Sequence, residues 1–189
     1  MSDTSRFLTA LGRVIRSLSG SRRSAARSQP GSDAASATST GTSTGTGLLS
    51  PGQAGPDATI EVDPSRLQRV RLAYAPSRDG DPDPGEIVWT WVPYEERDGR
   101  GKDRPVAIVA ASRDGDFLAV QLTSRPHDGD RDYVALGHGA WDASGRPSWA
   151  RIDRVFRVRS GGMRREAASL DAARYARITG ALRDRYGWR

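Results

Sequence analysis

Cysteine is absent from the 189 residues, which excludes disulfide frameworks, thiolate zinc sites and cysteine nucleophiles. Histidine is nearly absent, with His127 and His138 as the two imidazole donors. That leaves a structural zinc site without its ligands, so neither a metal nor any other cofactor is expected. Lysine occurs once, as Lys102, so arginine carries the formal net charge of +6. The excess suits an anionic partner, although an arginine bias also reflects genomic composition. Apolar residues reach only 36%, and 21 glycines and 11 prolines interrupt the chain; part of it is therefore expected not to fold. No stretch approaches the length that spans a bilayer. Arg13 and Arg16 break what would have to be the apolar run of a secretory signal. A cytoplasmic protein without stable membrane insertion is expected.

The composition divides the chain into a tail and a domain. Within residues 1–26, Phe7, Leu8, Leu11, Val14, Ile15 and Leu18 recur at helical spacing, with Arg6, Arg13 and Arg16 on other faces. This predicts a short basic amphipathic helix, marginal in isolation. Residues 27–56 are almost wholly Gly, Ser, Thr, Ala and Pro with one acid, Asp33. Such a segment cannot bury enough apolar surface to offset the ordering of its backbone, and reads as a flexible linker. All five tryptophans and all five tyrosines lie beyond Asp57, so the core is sought there. Residues 57–84 form a lead-in that ends in the turn-rich Asp79–Gly85, and the compact unit is expected over 85–189.

Inside that unit, Glu86–Val92 alternates Ile87, Trp89 and Trp91 with Val88, Thr90 and Val92. Both faces are apolar, which predicts a central strand with its tryptophans in the core. A charged, glycine-bearing loop follows over Pro93–Asp103. Arg104-Pro105 then leads into the apolar run Val106–Ala110, with the proline expected at the first strand position. Asp114-Gly115 marks a turn into a strand over Phe117–Thr123. Asp132–Leu136 and Ser148–Val158, the latter bent near Asp153, supply further strands. Leu170-Asp171 predicts a hydrophobic N′ residue and an N-cap, with Tyr175, Ile178, Leu182 and Tyr186 on the buried stripe and Gly187 as the stop. Short strands at close spacing, one terminal helix and no βαβ rhythm argue for a small, bent antiparallel sheet or barrel.

Three marks occur in order: Gly85-Glu86-Ile87-Val88-Trp89, then Arg104-Pro105 before an apolar strand, then Leu122-Thr123-Ser124. With them the region from Gly85 to Arg189 resembles the PemK/MazF toxins of bacterial type II toxin–antitoxin systems. The resemblance implies a mainly β, SH3-like barrel of the PemK/MazF/CcdB type with an appended helix, here preceded by a disordered tail. It further implies a homodimer and a metal-independent endoribonuclease that cuts single-stranded RNA at a short sequence. The partners it implies are that RNA, a cognate antitoxin whose disordered tail fills the RNA groove, and operator DNA reached through the toxin–antitoxin complex. The arginine of the R-P pair falls on Arg104 and the strand-ending threonine on Thr123, which become the candidate catalytic residues.

Cleavage of RNA through its own 2′-hydroxyl requires a proton acceptor, a proton donor and positive charge at the phosphorane oxygens. Arg104, always protonated, suits the charge-stabilising part, and the Thr123 hydroxyl can position or donate to the same oxygens. Glu95 and Glu96 are the acid–base candidates. Similar toxins carry an acidic segment nearer the R-P pair, where this chain has Gly99-Arg100-Gly101-Lys102. Ser124, Arg125 and Lys102 are candidate phosphate contacts, and Trp141, in the loop GAWDASG, is the candidate base-stacking platform. His127 and His138 lie in polar, glycine-rich surroundings that read as exposed loops away from the chemistry. From Arg146 onward twelve arginines face four acids, whereas 57–145 is net acidic. A basic half turned toward a polyanion, or a solvated arginine-rich surface, both fit that asymmetry. The rival to a nuclease is a non-catalytic SH3-like module that binds nucleic acid or protein.

Overall fold

The computed structural model describes residues 49–77, 79–112 and 114–189. The helix expected over 1–26 and the linker as far as residue 48 lie outside them. Among the described residues the strands are β1 (Ile60–Val62), β2 (Glu86–Pro93), β3 (Gly101–Ala111), β4 (Asp116–Thr123), β5 (Tyr133–Gly137), β6 (Ser148–Arg151), β7 (Val155–Arg159) and β8 (Arg164–Ser169). One helix, α1 (Ala172–Tyr186), follows. The main sheet is ordered β1-β7-β4-β3-β2-β8 and its pairings are antiparallel. β4 bends between two partners: Asp116–Ala119 pair with β7, whereas Leu122 and Thr123 pair with β6. β6 in turn pairs with β5. This is the mainly β, SH3-like arrangement with a C-terminal helix that the resemblance implies.

Alternation along the central strands builds a core on each side of the sheet. Val88, Val92, Val106, Ile108, Phe117, Ala119, Phe156 and Val158 fill the inner one. The opposite residues, among them Ile87, Ala107, Val109, Val120 and Leu122, pack against Tyr175, Ile178 and Leu182 of the helix. Burying Ile178 and Leu182 contributes about 1.5–3 kcal/mol each, enough to seat a helix that would be marginal alone. Its ends are set by local chemistry. Asp171 caps α1 by accepting from the backbone N–H of Arg174 at 2.7 Å, and Gly187 closes it at φ 68°. Leu170 and Tyr175 are both buried, as a staple requires.

In the strands and domain boundary, the fold differs from the sequence reading in three places. Pro105 is not the first residue of its strand: β3 starts at Gly101, and Pro105 lies opposite Trp89 of β2. Pairing of β3 with β4 starts only at Val106, so the proline's missing N–H costs the sheet no second ladder there. The ordered unit also begins before residue 85. β1 adds an edge to β7, and the Tyr74 hydroxyl donates to the Leu170 carbonyl at 2.8 Å. Finally, part of the stretch read as linker is built into the fold. The Trp91 N–H donates to the Pro51 carbonyl at 2.9 Å. Gly52, at φ 79°, sits where a Cβ would lie 2.7 Å from the Gly162 carbonyl. β1 and the Pro51–Gly52 turn are held by backbone contacts, while Val70 and Leu72 of the lead-in are buried in the helix-side core; composition passes over both because the partners lie far along the chain. No helix among the described residues is long and apolar enough to cross a membrane.

Candidate functional site

Arg104 and Thr123 reach one place because β3 and β4 form a hairpin. Val106 pairs with Gln121, and extending that register by two residues sets Arg104 opposite Thr123. The hairpin's open end separates two clefts. One, of about 350 Å³, is lined by Trp89, Lys102, Asp103, Arg104, Thr123, Ser124, Trp141, Asp142 and Arg146 among others. The other, of about 740 Å³, is lined by Glu95, Glu96, Arg104, Gln121, Thr123, Ser124, Arg125, His127, Tyr133 and Arg151 among others. Arg104, Thr123 and Ser124 belong to both and form the ridge between them. Every candidate from the sequence thus lines at least one of the two clefts.

Their environments separate them. Among the described residues no carboxylate lies within ion-pairing distance of Arg104. Two carboxylates of the clefts are engaged elsewhere: Asp103 pairs with Arg164 at 3.0 Å, and Glu95 pairs with Arg151. Arg104 therefore keeps its five N–H donors for an incoming anion. The Thr123 hydroxyl accepts from the backbone N–H of Arg125 at 3.1 Å. That bond fixes the oxygen and leaves its proton to be donated. Glu95 is the weaker acid–base candidate of its pair, because hydrogen bonding to Arg151 holds its carboxyl below the usual range. Arg151 also binds Asp153 at 2.7 Å. Glu96 is exposed, lines the second cleft, and has no ion-pair partner among the described residues.

The aromatic assignments are exchanged relative to the sequence reading. Trp141, expected as an exposed stacking platform, is 6% exposed. Its Nε1 donates to the Ser148 hydroxyl at 3.0 Å, and the Arg174 guanidinium lies 5.7 Å from its ring centroid. A hydrogen-bond partner from β6 and a covering arginine from α1 turn the indole inward. Trp89 and Trp91, expected in the core, are half-buried, and Trp89 lines the first cleft. The histidines divide. His138 stays exposed, its Nδ1 2.7 Å from the Gly145 carbonyl, and lines neither cleft. His127 was expected in a solvent loop but lines the second cleft, stacked on Tyr133 with ring centroids 3.5 Å apart and planes 5° from parallel. The Pro126–Asp130 turn folds back on β5, where Tyr133 receives the imidazole. The tyrosine six residues downstream was the available signal. Sequence reasoning also passed over Tyr133, Gln121 and Arg151 as cleft residues.

The basic C-terminal third does not form an undivided cationic face. Arg165 binds both oxygens of Glu86 at 2.8 and 3.0 Å. Arg154 binds Glu61 at 2.6 and 3.1 Å, and Arg159 binds Asp116 at 3.1 Å. Arg185 pairs with Asp132. Acids from the middle of the chain thus neutralise arginines from its end across the fold. At the clefts, Lys102, Arg104 and Arg125 have no carboxylate partner among the described residues, so cationic character is concentrated around the ridge. No group of three or more potential ligand side chains able to hold a metal ion occurs among the described residues.

Over residues 83–185 the sequence matches the family model described as the PemK-like, MazF-like toxin of type II toxin–antitoxin systems. No protein with a curated description matches it. Similar solved structures include a MazE–MazF complex from Deinococcus radiodurans, with 21% identity over 56% of this chain and 96% of that one, at a TM-score of 0.43. MazF from the same organism is 23% identical over 57% and 97% of the two chains, also at 0.43. The toxin MazF-mt6 of Mycobacterium tuberculosis is 15% identical over 54% and 98%, at 0.40.

Proposed function

Because the chain belongs to the PemK-like, MazF-like toxins of type II toxin–antitoxin systems, we propose that it is a metal-independent endoribonuclease that cuts single-stranded RNA. The observation that supports this reading is the ridge, where Arg104 and Thr123 share the border of two clefts, with no carboxylate among the described residues competing for the guanidinium. An RNA strand crossing the ridge places one phosphate against both groups, with flanking nucleotides in the clefts. The 2′-oxygen attacks phosphorus, the P–O5′ bond breaks, and the products are a 2′,3′-cyclic phosphate and a 5′-hydroxyl. Arg104 offsets the extra negative charge on the non-bridging oxygens, a term worth most in a site that excludes water. Thr123 donates its hydroxyl proton to one of them. Glu96 takes the 2′-hydroxyl proton, since Glu95 is bound to Arg151. Ser124, Arg125 and Lys102 hold neighbouring phosphates.

The partners follow the family. An antitoxin with an acidic segment would compete for the same cations, and the toxin acts as a homodimer in the cytoplasm, with operator DNA bound only through the toxin–antitoxin complex. The test is incubation of purified protein and its Arg104→Ala variant with a long single-stranded RNA in EDTA, followed by mapping of the ends. Discrete cuts made by the wild type and lost in the variant are expected. Intact RNA in both samples would instead favour the binding-module reading, which the absence of an acid between Gly99 and Lys102 supports.

A further inference from the structure

A strand cut in this way needs a proton for the departing 5′-oxygen, and the groups already assigned do not supply it. Arg104 and Arg125 never release a proton, and Thr123 is committed to a non-bridging oxygen. Burial holds the Tyr133 phenol proton more tightly than usual, which makes it a poor donor. His127 remains. Its ring lies flat on Tyr133 at 3.5 Å between centroids, and it lines the same cleft as Arg104, Thr123 and Glu96. The Asp130 carboxylate lies 3.7 Å from its Nδ1. A carboxylate at one nitrogen and the phenol ring beneath fix where the imidazole sits, with the cations Arg104, Arg125 and Arg151 lining the same cleft. With Nδ1 beside Asp130, Nε2 is the nitrogen left for substrate.

We propose that His127 is the general acid of this site, donating its Nε2 proton to the 5′-oxygen that leaves phosphorus. The assignment rests on the nuclease reading and deepens it. The step balances within the chain. The O2′–P bond forms as the 2′-hydroxyl proton passes to Glu96, and the P–O5′ bond breaks as the His127 proton passes to O5′. The resulting neutral imidazole and protonated carboxyl then exchange protons with water. Asp130 and Tyr133 act as positioning residues, holding the ring without touching the reacting atoms.

The experiment uses the full chain and a short oligoribonucleotide spanning a mapped cut, made with either oxygen or sulfur at the 5′ bridging position. A thiolate leaves without needing a proton, so the sulfur substrate bypasses a general acid. His127→Ala and His127→Asn are both made, the asparagine keeping a planar polar group against Tyr133, and melting curves establish that they fold. Loss of the acid is expected to slow cleavage of the oxygen substrate by about 10²–10⁴-fold, and the sulfur substrate should bring both variants back to within roughly tenfold of wild type. Glu96→Gln and Arg104→Ala should stay slow on both substrates. Equal losses on oxygen and sulfur, or unimpaired cleavage by the histidine variants, would overturn the assignment while leaving the nuclease standing. A wild-type protein that cuts neither substrate would overturn the nuclease reading itself, and this one with it.

Discussion

Arg104→Ala separates binding from folding because the side chain it removes holds no partner in place among the described residues. No described carboxylate is left stranded, so the variant should unfold in urea within about 0.5 kcal/mol of wild type, the ordinary range for surface changes. The loss at the RNA is larger. A hydrogen bond to a charged group is worth about 1.5–3 kcal/mol, which at ~1.4 kcal/mol per tenfold corresponds to roughly 10- to 150-fold in affinity. Removing one phosphate contact from a single strand should also reduce the slope of log affinity against log salt by about 0.7. The measurement is fluorescence anisotropy of a labelled 2′-deoxy analogue, which cannot be cut, across a salt series. Arg165→Ala is the contrasting control. It removes a charge of the same sign but strands the carboxylate of Glu86, a residue only 8% exposed. It should lose stability, up to the ~3–5 kcal/mol of a broken buried pair, while keeping the salt slope. An Arg104→Ala protein with unchanged slope and affinity would refute the ridge as the phosphate site. So would a slope that falls equally in the control.

Three further outcomes follow from the same geometry. Thr123→Ala should lower the cleavage rate far more than RNA affinity, and Thr123→Ser should restore most of the rate, as measured in single-turnover reactions; a loss of affinity alone would assign Thr123 to binding. Glu95→Gln should leave the rate within a few-fold of wild type, whereas Glu96→Gln should lower it by about 10²-fold or more; the reverse order would exchange their roles. Tyr175 is 4% exposed and donates to the Val109 carbonyl at 2.8 Å, and burial pushes its phenol from 10.0 up to about 12. Because the folded value is the higher one, its stabilisation is complete below pH 10 and is lost as pH rises through about 12. Tyr175→Phe should flatten that decline in alkaline urea titrations, and an identical decline in the variant would show the phenol to be uninvolved.

The strands that were legible in the sequence are those whose side chains carry the signal. β2 and β4 are β-branched or apolar on both faces, so their residues announce central strands, and the Asp171 cap and Gly187 stop fix α1 to the residue. β8 reads RREAAS, with nothing of strand propensity, and exists because β2 offers it an edge and Glu86 offers Arg165 a partner. β1 is likewise made by β7. The site was legible where a motif sits on strands: Arg104 and Thr123 meet because hairpin register is set by a turn visible in the sequence. It was illegible where loops fold back. His127 reaches the cleft by stacking on a tyrosine of another element, and Trp141 turns inward toward Ser148 and Arg174, neither of which local composition encodes. The charge asymmetry left two readings open for the same reason, since pairing across the fold is invisible to counting along the chain.

That pairing also bears on how the protein is made. Glu86 receives Arg165 from 79 residues further on, and Glu61 receives Arg154 from 93 residues further on. At the usual pace of synthesis, about 5–20 residues per second, the first of these gaps alone lasts roughly 4–16 s. In the later part of that interval, once residue 123 has been made, the nascent chain holds the Arg104–Thr123 hairpin while β8 and α1 are still missing. Such long-range closure is slow by nature. The two groups of the ridge are therefore made before the strand and the helix that complete the fold around them.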